Sequence, residues 1–141
     1  MNSSINKHYK RARTASLVLL FFLGLSALPA ALFMIVDPSG MRMGLPLELL
    51  DQTPFHNFLV PGILLGFFNG ILGLLFAIQV IKRHRLQAWM VMFQGGVLMT
   101  WLTAEVIMGL YYPPLTLPYY LVATLLLSCG LLMNLSKSGL S

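Results

Sequence analysis

The chain alternates between long apolar stretches and shorter polar ones. A helix needs roughly 20 residues to cross the hydrocarbon core of a bilayer. Stretches of that length cover residues 14–36, 58–81, 88–111 and 116–135. Backbone groups in lipid must be hydrogen-bonded within their own segment, so each stretch is predicted to be a helix, and the short alternation of a transmembrane β-barrel is absent. The pattern predicts an all-α fold, an integral membrane up-down four-helix bundle, with residues 1–141 forming a single transmembrane domain.

The longest polar segment, residues 37–57, joins the first two predicted spans. It begins with Asp-Pro-Ser-Gly, which is typical of a type I turn. Residues 46–51 start with proline and continue with apolar and acidic residues, which predicts a short helix lying at the membrane interface. Thr53 and Pro54 are the predicted N-cap and first residue of the approach to the second helix, and Pro61 is expected to bend that helix.

Composition narrows the class of protein. Of the 141 residues, 57% are hydrophobic and 9% are charged, against roughly 25% charged in a soluble domain. Mean hydropathy is +0.80. These values exclude a soluble enzyme, a disordered tail and a nucleic-acid-binding module, and a single cysteine excludes an internal disulfide. The lipid bilayer is therefore the expected partner, and nucleic acid is not.

The basic residues indicate how the chain is oriented. Eight of the nine lysines and arginines fall on one side of the predicted spans, and only Arg42 falls on the other. The positive-inside rule then predicts that both termini are cytoplasmic. The first span follows basic residues as a signal peptide does, but its apolar run continues to Val36. We interpret it as a retained helix that is kinked or loosened at Pro29.

Small residues repeat along the second predicted span. Gly62, Gly66 and Gly70 are spaced four apart, which puts them on one helix face. Such a face lets another helix approach closely. Four helices with short connections must already pack on each other, so we favour a contact within the chain over a contact between two copies.

Amide side chains lie within the predicted spans, among them Asn69, Gln79 and Gln94. Counted from the helix ends, Asn69 is level with Thr100 and Trp101, and it is expected to hydrogen-bond one of them. Gln79 and Gln94 lie nearer the cytoplasmic ends, where we interpret them as ordinary interfacial residues.

Glu105 is the one charged residue within the four predicted spans. A carboxylate inside a membrane is costly, and it usually faces the protein interior or a water-filled cavity. The predicted candidate site is a partly polar chamber on the outer side, lined by Trp101, Glu105, Tyr119 and Tyr120. Asn69 is a fifth candidate ligand-binding residue. Three roles are compatible with the pattern: a proton or cation relay, an anchor for a small ligand, or a protonated Glu105 that only hydrogen-bonds a tyrosine or a carbonyl.

Acidic residues concentrate in the first loop, beside a histidine: Asp37, Glu48, Asp51 and His56. Their spacing matches no metal-binding motif, so a solvated cap is favoured over a cation site. No metal and no cofactor is expected.

The first loop also carries a resemblance. Asp-Pro-Ser-Gly at 37–40, Gly-Leu-Pro at 44–46, Thr-Pro-Phe at 53–55 and Pro-Gly at 61–62 are similar to a motif of uncharacterised small bacterial membrane proteins. Trp101 and Glu105 resemble a Trp-x-x-x-Gln/Glu pattern in their third helix. The similarity covers about residues 35–112. It implies a four-helix protein of the bacterial cytoplasmic membrane and brings no activity. A more distant likeness to DoxX-type proteins is one of architecture only.

Three functions remain from the sequence. The first is a non-enzymatic membrane protein that acts by helix association, as a homo-oligomer or as an accessory subunit of a membrane partner. The second is a carrier or binder of a small apolar or cationic ligand in the chamber around Glu105. The third is an enzyme acting on lipid or quinone, which is ranked last because the sequence supplies no paired catalytic residues.

Overall fold

A computed structural model describes residues 2–41, 44, 46–51, 53–109 and 113–140 of the chain. These residues form long helices and no strand. The helices are α1 (Asn2–Val36), α2 (Leu59–Leu65) and α3 (Leu72–Ile81), α4 (Gln87–Ile107), and α5 (Pro113–Leu140). A π-helical turn, Gly66–Ile71, joins α2 to α3, so that the three segments form one second helix.

Four helices are long and apolar enough to cross a membrane. The candidate spans are Lys7–Val36, Leu59–Ile81, Gln87–Ile107 and Thr116–Ser136. Their outward faces carry large apolar side chains that are half or more exposed, as lipid-facing helices do. The prediction of an all-α chain with four membrane-length apolar helices is confirmed.

The helix ends differ from the predicted ones at several places; α4, for example, ends at Ile107 and not at residue 111. The first helix begins at Asn2 rather than at residue 14, because its polar start contains neither proline nor glycine and can continue the helix. The second helix begins at Leu59, so the prediction that Pro54 opens a helix is wrong. Thr53 instead closes a local turn, in which its hydroxyl donates to the carbonyl of Leu50 at 2.8 Å and accepts from the amide of Phe55 at 3.2 Å.

The prolines lie either in the first turn of a helix, which tolerates proline, or inside a helix that continues past them. Pro61 is the third residue of α2, inside the first turn, where a backbone N–H has no intrahelical acceptor to lose. The first helix runs through Pro29 as one element. In the loop before α2, a single 3-10 turn (Leu47–Leu50) lies inside the predicted short helix, and its placement at an interface stays a prediction.

The helices pack as two antiparallel pairs that share a core. The second helix lies along α1, and α5 packs against both α1 and α4. The third spanning helix, α4, contacts the second helix mainly through α3 and the π-helical turn. Fully enclosed apolar side chains from the helices meet between them: Leu20, Val80, Val91, Leu126 and Met133.

Glycines set the distance between the paired helices. A Cβ atom placed on Gly62, Gly66 or Gly70 would lie 2.6 Å from Met34 Cβ, 2.9 Å from Ala31 Cβ and 2.7 Å from Leu28 Cδ2, respectively. All three contacts are with α1. The structure therefore uses the glycine face of the second helix for packing within the chain. The pair α4 and α5 has its own close approach, at Gly95 and Gly130, which sequence reasoning missed.

The end of the bundle at residues 82–86, here called the basic end, is tied by cross-helix hydrogen bonds. Arg13 Nη2 donates to the carbonyls of Val80 at 2.8 Å and Ile81 at 3.3 Å, where the second helix ends. A cation there also complements the helix dipole. Arg83 turns the chain with a left-handed φ of 56°. The opposite end, at residues 37–58, is called the loop end. Arg42, predicted to be the only basic residue there, lies outside the described residues.

Candidate functional site

Polar side chains follow the inner face of α4 at helical spacing. Gln94, Leu98, Trp101 and Glu105 are separated by three or four residues each, which aligns them on one side of the helix. Gln94 and Leu98 are buried, while Trp101 and Glu105 are half-buried. This face looks into the bundle, since Trp101 packs against the hydrophobic core.

Trp101 and Glu105 form a pair on one helix. The Trp101 indole lies beside the Glu105 carboxyl group one turn later. An indole N–H can only donate, so in a hydrogen bond between the two the carboxyl oxygen accepts. Within the described part of the chain, no basic side chain lies at salt-bridge distance from Glu105. The neighbour of the carboxyl group is thus an indole of its own helix and not a cation from another helix.

The two tyrosines of the predicted chamber have other partners. Tyr119 donates its hydroxyl to Ser26 Oγ on α1 at 2.8 Å, and its ring stacks on Phe22 with centroids 5.8 Å apart. The Tyr120 hydroxyl lies 3.1 Å from Thr103 Oγ1 on α4. The structure therefore brings Trp101 and Glu105 together, and it ties Tyr119 and Tyr120 to other side chains.

Asn69 has a partner that the helix-end count did not predict. Gln94 Nε2 donates to Asn69 Oδ1 at 3.4 Å and to the carbonyl oxygen of Phe68 at 3.0 Å. Neither Thr100 nor Trp101 is hydrogen-bonded to Asn69 among the described contacts. The interfacial interpretation of Gln94 is wrong as well, because its side chain is completely buried.

The observed helix ends and the π-helical turn both bear on this pairing. The third spanning helix ends at Ile107 and not at residue 111, and the second begins at Leu59, so a count from the observed ends puts Asn69 level with Val97, within one turn of Gln94. The turn also disturbs the regular carbonyl acceptors of the helix, and Gln94 supplies a donor to one of them, Phe68. The amide of Gln94 therefore fastens the π-helical turn to α4.

A second amide, Gln87, was not singled out from the sequence. It is buried at the basic end, and its Nε2 donates to the hydroxyl of Tyr9 on α1 at 2.7 Å. Gln87, Gln94 and Trp101 are spaced seven residues apart, which places all three on the inner face of α4. This spacing could have identified Gln87 from the sequence.

The outward face of α4 has a shallow depression of about 310 Å³. Met99, Thr100, Thr103, Ala104 and Ile107 line it. Gly96 lies one turn before Thr100, and a Cβ atom there would meet nothing within 4 Å. Gly62, Gly66 and Gly70 pack closely against α1, whereas Gly96 has open space around it.

The described residues hold no group of three or more histidine, cysteine, aspartate or glutamate side chains that could bind a metal ion. In the loop, Asp37 Oδ1 accepts a hydrogen bond from Ser39 Oγ at 2.5 Å, which closes the turn formed by Asp-Pro-Ser-Gly.

Comparisons of the chain with protein-family models, with curated proteins and with solved structures return no match.

Proposed function

We propose that this protein is a non-catalytic membrane protein that binds a small organic cation between its helices, with Glu105 and Trp101 as the anchoring residues. The observation that carries the proposal is the pair itself. A half-buried carboxyl group in a membrane-length helix has an indole of the same helix beside it, while the hydroxyls of Tyr119 and Tyr120 bond elsewhere.

The chemistry of the pair favours a cation. A carboxylate attracts positive charge, and the face of an indole ring binds ammonium groups through its quadrupole. An ionisable group at this depth in a helix typically marks a binding site or a pathway. The apolar alternative for the ligand is less well supported, because an apolar molecule would leave the carboxylate without compensation.

The packing of the helices leaves access to the pair. At the loop end α2 packs on α1, whereas α4 packs on α5 and meets the second helix mainly nearer the basic end. The helices α2 and α4 therefore diverge at the loop end, where Glu105 lies, and this is where a small ligand would enter.

Native mass spectrometry of the gently solubilised protein tests the proposal. We expect a bound small molecule on the wild-type protein and its loss from the Glu105→Gln variant. The matched control is Glu48→Gln, which removes the same charge at an exposed position in the loop. Retention of the same ligand by Glu105→Gln would contradict the proposal.

A direct titration gives a second readout. Trp89 is 58% exposed on the outside of the bundle, so a Trp89→Phe background leaves Trp101 as the single tryptophan reporter. We expect tetrapropylammonium to change the fluorescence of Trp101 saturably, and we expect Glu105→Gln to abolish that saturation. A response that is equally saturable in Glu105→Gln would show that the carboxyl group does not anchor the cation.

Association with a second copy or with a membrane partner is the other candidate function, and the open face of α4 favours it. The glycine face of the second helix lies against α1, so that surface is already used for packing within the chain. Gly96, Thr100, Thr103 and Ala104 present small side chains outward, which is the type of surface on which membrane helices pack.

Gly96→Leu tests association with little effect on the fold, because a side chain there meets nothing within 4 Å of its Cβ atom. If α4 mediates association, the oligomer seen by native mass spectrometry should dissociate into folded monomers. An unchanged oligomer, or a wild-type protein that is already monomeric, would remove this face from consideration.

A further inference from the structure

The centre of the bundle contains a hydrogen-bond donor and an acceptor without a protein partner. Asn69 Nδ2 and Gln94 Oε1 are buried and unpartnered within the described part of the chain. Both side chains have 0% exposure. Buried polar atoms in proteins are almost always paired with protein or with ordered water, because an unpaired one keeps its full desolvation cost.

Turning the amide groups does not remove the unpartnered atoms. If Gln94 were rotated by 180°, its oxygen would face the carbonyl oxygen of Phe68, to which Nε2 now donates at 3.0 Å. If Asn69 were rotated, its NH₂ group would face the NH₂ group of Gln94 in place of the present 3.4 Å contact. The assignment shown is therefore the favourable one, and it leaves the NH₂ group of Asn69 and the oxygen of Gln94 without a protein partner in the described part of the chain.

Space exists beside these two amides. Gly73 follows Asn69 by four residues on the second helix and is buried. A Cβ atom on Gly73 would have its nearest neighbours at 3.9 Å, and these are Gln94 Cδ and the backbone atoms Gly24 N and Leu20 O of α1. The other glycines of this helix that face α1 have no such room. The gap is about the size of a single small group and adjoins the Gln94 amide.

We propose that this gap binds one water molecule, which accepts a hydrogen bond from Asn69 Nδ2 and donates one to Gln94 Oε1. A bridging group must both accept and donate, and it must fit beside Gly73, which excludes larger ligands. Buried waters typically make two to four hydrogen bonds to otherwise unpaired groups. The water completes a polar connection between the π-helical turn and α4, independently of whether Glu105 binds a cation.

The substitution Gly73→Ala distinguishes a hydrated gap from an empty one. A methyl group at 3.9 Å makes ordinary van der Waals contacts, so in an empty gap alanine should stabilise the helix. In a hydrated gap it displaces the water and leaves both amides unpaired. We expect Gly73→Ala to lower the midpoint of SDS-induced unfolding. The matched control is Gly96→Ala, where the new methyl meets nothing and only helix propensity changes.

The sign should reverse when the amides are removed. In the Asn69→Leu/Gln94→Met background no polar atom needs the water, so Gly73→Ala should raise the midpoint as Gly96→Ala does. A Gly73→Ala variant that is stabilised in the wild-type background would overturn the proposal.

A spectroscopic measurement covers the case in which the double variant does not fold. Solid-state NMR of the reconstituted protein labelled with ¹⁵N-asparagine should show magnetisation transfer from water to the Asn69 side-chain amide. Asn69→Leu assigns the signal, and Gly73→Ala should abolish the transfer. An assigned Asn69 amide signal that receives no magnetisation from water would overturn the proposal independently.

Discussion

Gln94 and Glu105 lie on the same inner face of α4, yet their surroundings are opposite. Gln94 is fully buried and donates across the bundle to Phe68 O and Asn69 Oδ1 of the second helix. Glu105 is half-buried, and the polar group beside it is the Trp101 indole on its own helix. A polar group tied to another helix stabilises the bundle, whereas one held by its own helix is available to a ligand. The same helix thus provides a structural polar group and a candidate binding group, and substitutions should separate them.

The largest loss of stability is expected from Gln94→Leu. The substitution removes the donor to Phe68 O and Asn69 Oδ1 and leaves both acceptors buried. We expect the free energy of unfolding to fall by about 1–2 kcal/mol. Unfolding in SDS micelles followed by circular dichroism measures it. Gln79→Leu is the control, because Gln79 is only partly buried near the end of α3. Equal stability of the two variants would refute a structural role for Gln94.

Arg13 extends the comparison to the basic end of the bundle. Its guanidinium, on α1, donates to the carbonyls of Val80 and Ile81 at the end of the second helix. Arg13→Met should therefore lower the free energy of unfolding by about 1 kcal/mol. Lys10→Met on the same helix removes a charge from an exposed position and should change stability little. If both variants lose the same amount, the effect is one of overall charge and not of the cross-helix hydrogen bonds.

Tyr119 tests whether the tyrosines belong to the structural group or to the candidate site. Its hydroxyl donates to Ser26 on α1, so Tyr119→Phe should cost about 0.6 kcal/mol of stability. That hydroxyl is hydrogen-bonded to Ser26 and not to Glu105. The effects of Tyr119→Phe and Glu105→Gln on the free energy of unfolding should therefore add within about 0.5 kcal/mol in a double-mutant cycle. A larger coupling energy would place Tyr119 beside the carboxyl group and restore the four-residue chamber predicted from the sequence.

The sequence was sufficient to predict those features of the fold that a lipid bilayer requires. Lipid requires long apolar segments that satisfy their own backbone, so the number, order and approximate limits of the helices follow from hydropathy. Glu105 and Trp101 were also found from the sequence, because a charge in such a segment is rare and its helical neighbours follow from spacing.

The sequence did not predict which helices lie next to each other in the bundle. Which helix faces which depends on side-chain packing, so Tyr119 could not be assigned to Ser26 on α1 in advance. The π-helical turn at Gly66–Ile71 has no simple sequence signal, and it rotates the remainder of the second helix. The count from the helix ends selected Thr100 and Trp101 because it placed the end of the third span at residue 111, four residues beyond the observed end of α4 at Ile107. The start of α1 at Asn2 was missed because hydropathy reports burial in lipid and not helix propensity.

Glu105→Gln should have the smallest effect on stability and the largest effect on binding. The amide oxygen of glutamine can still accept from Trp101, and no cross-helix hydrogen bond is lost, so stability should change by less than about 0.5 kcal/mol. The charge that attracts a cation is removed, and the saturable response of Trp101 to tetrapropylammonium should disappear. Measured in one preparation, unchanged unfolding with lost binding would separate Glu105 from Gln94 by function. A loss of stability comparable to that of Gln94→Leu, without any loss of binding, would instead assign Glu105 to the structural polar groups of the bundle.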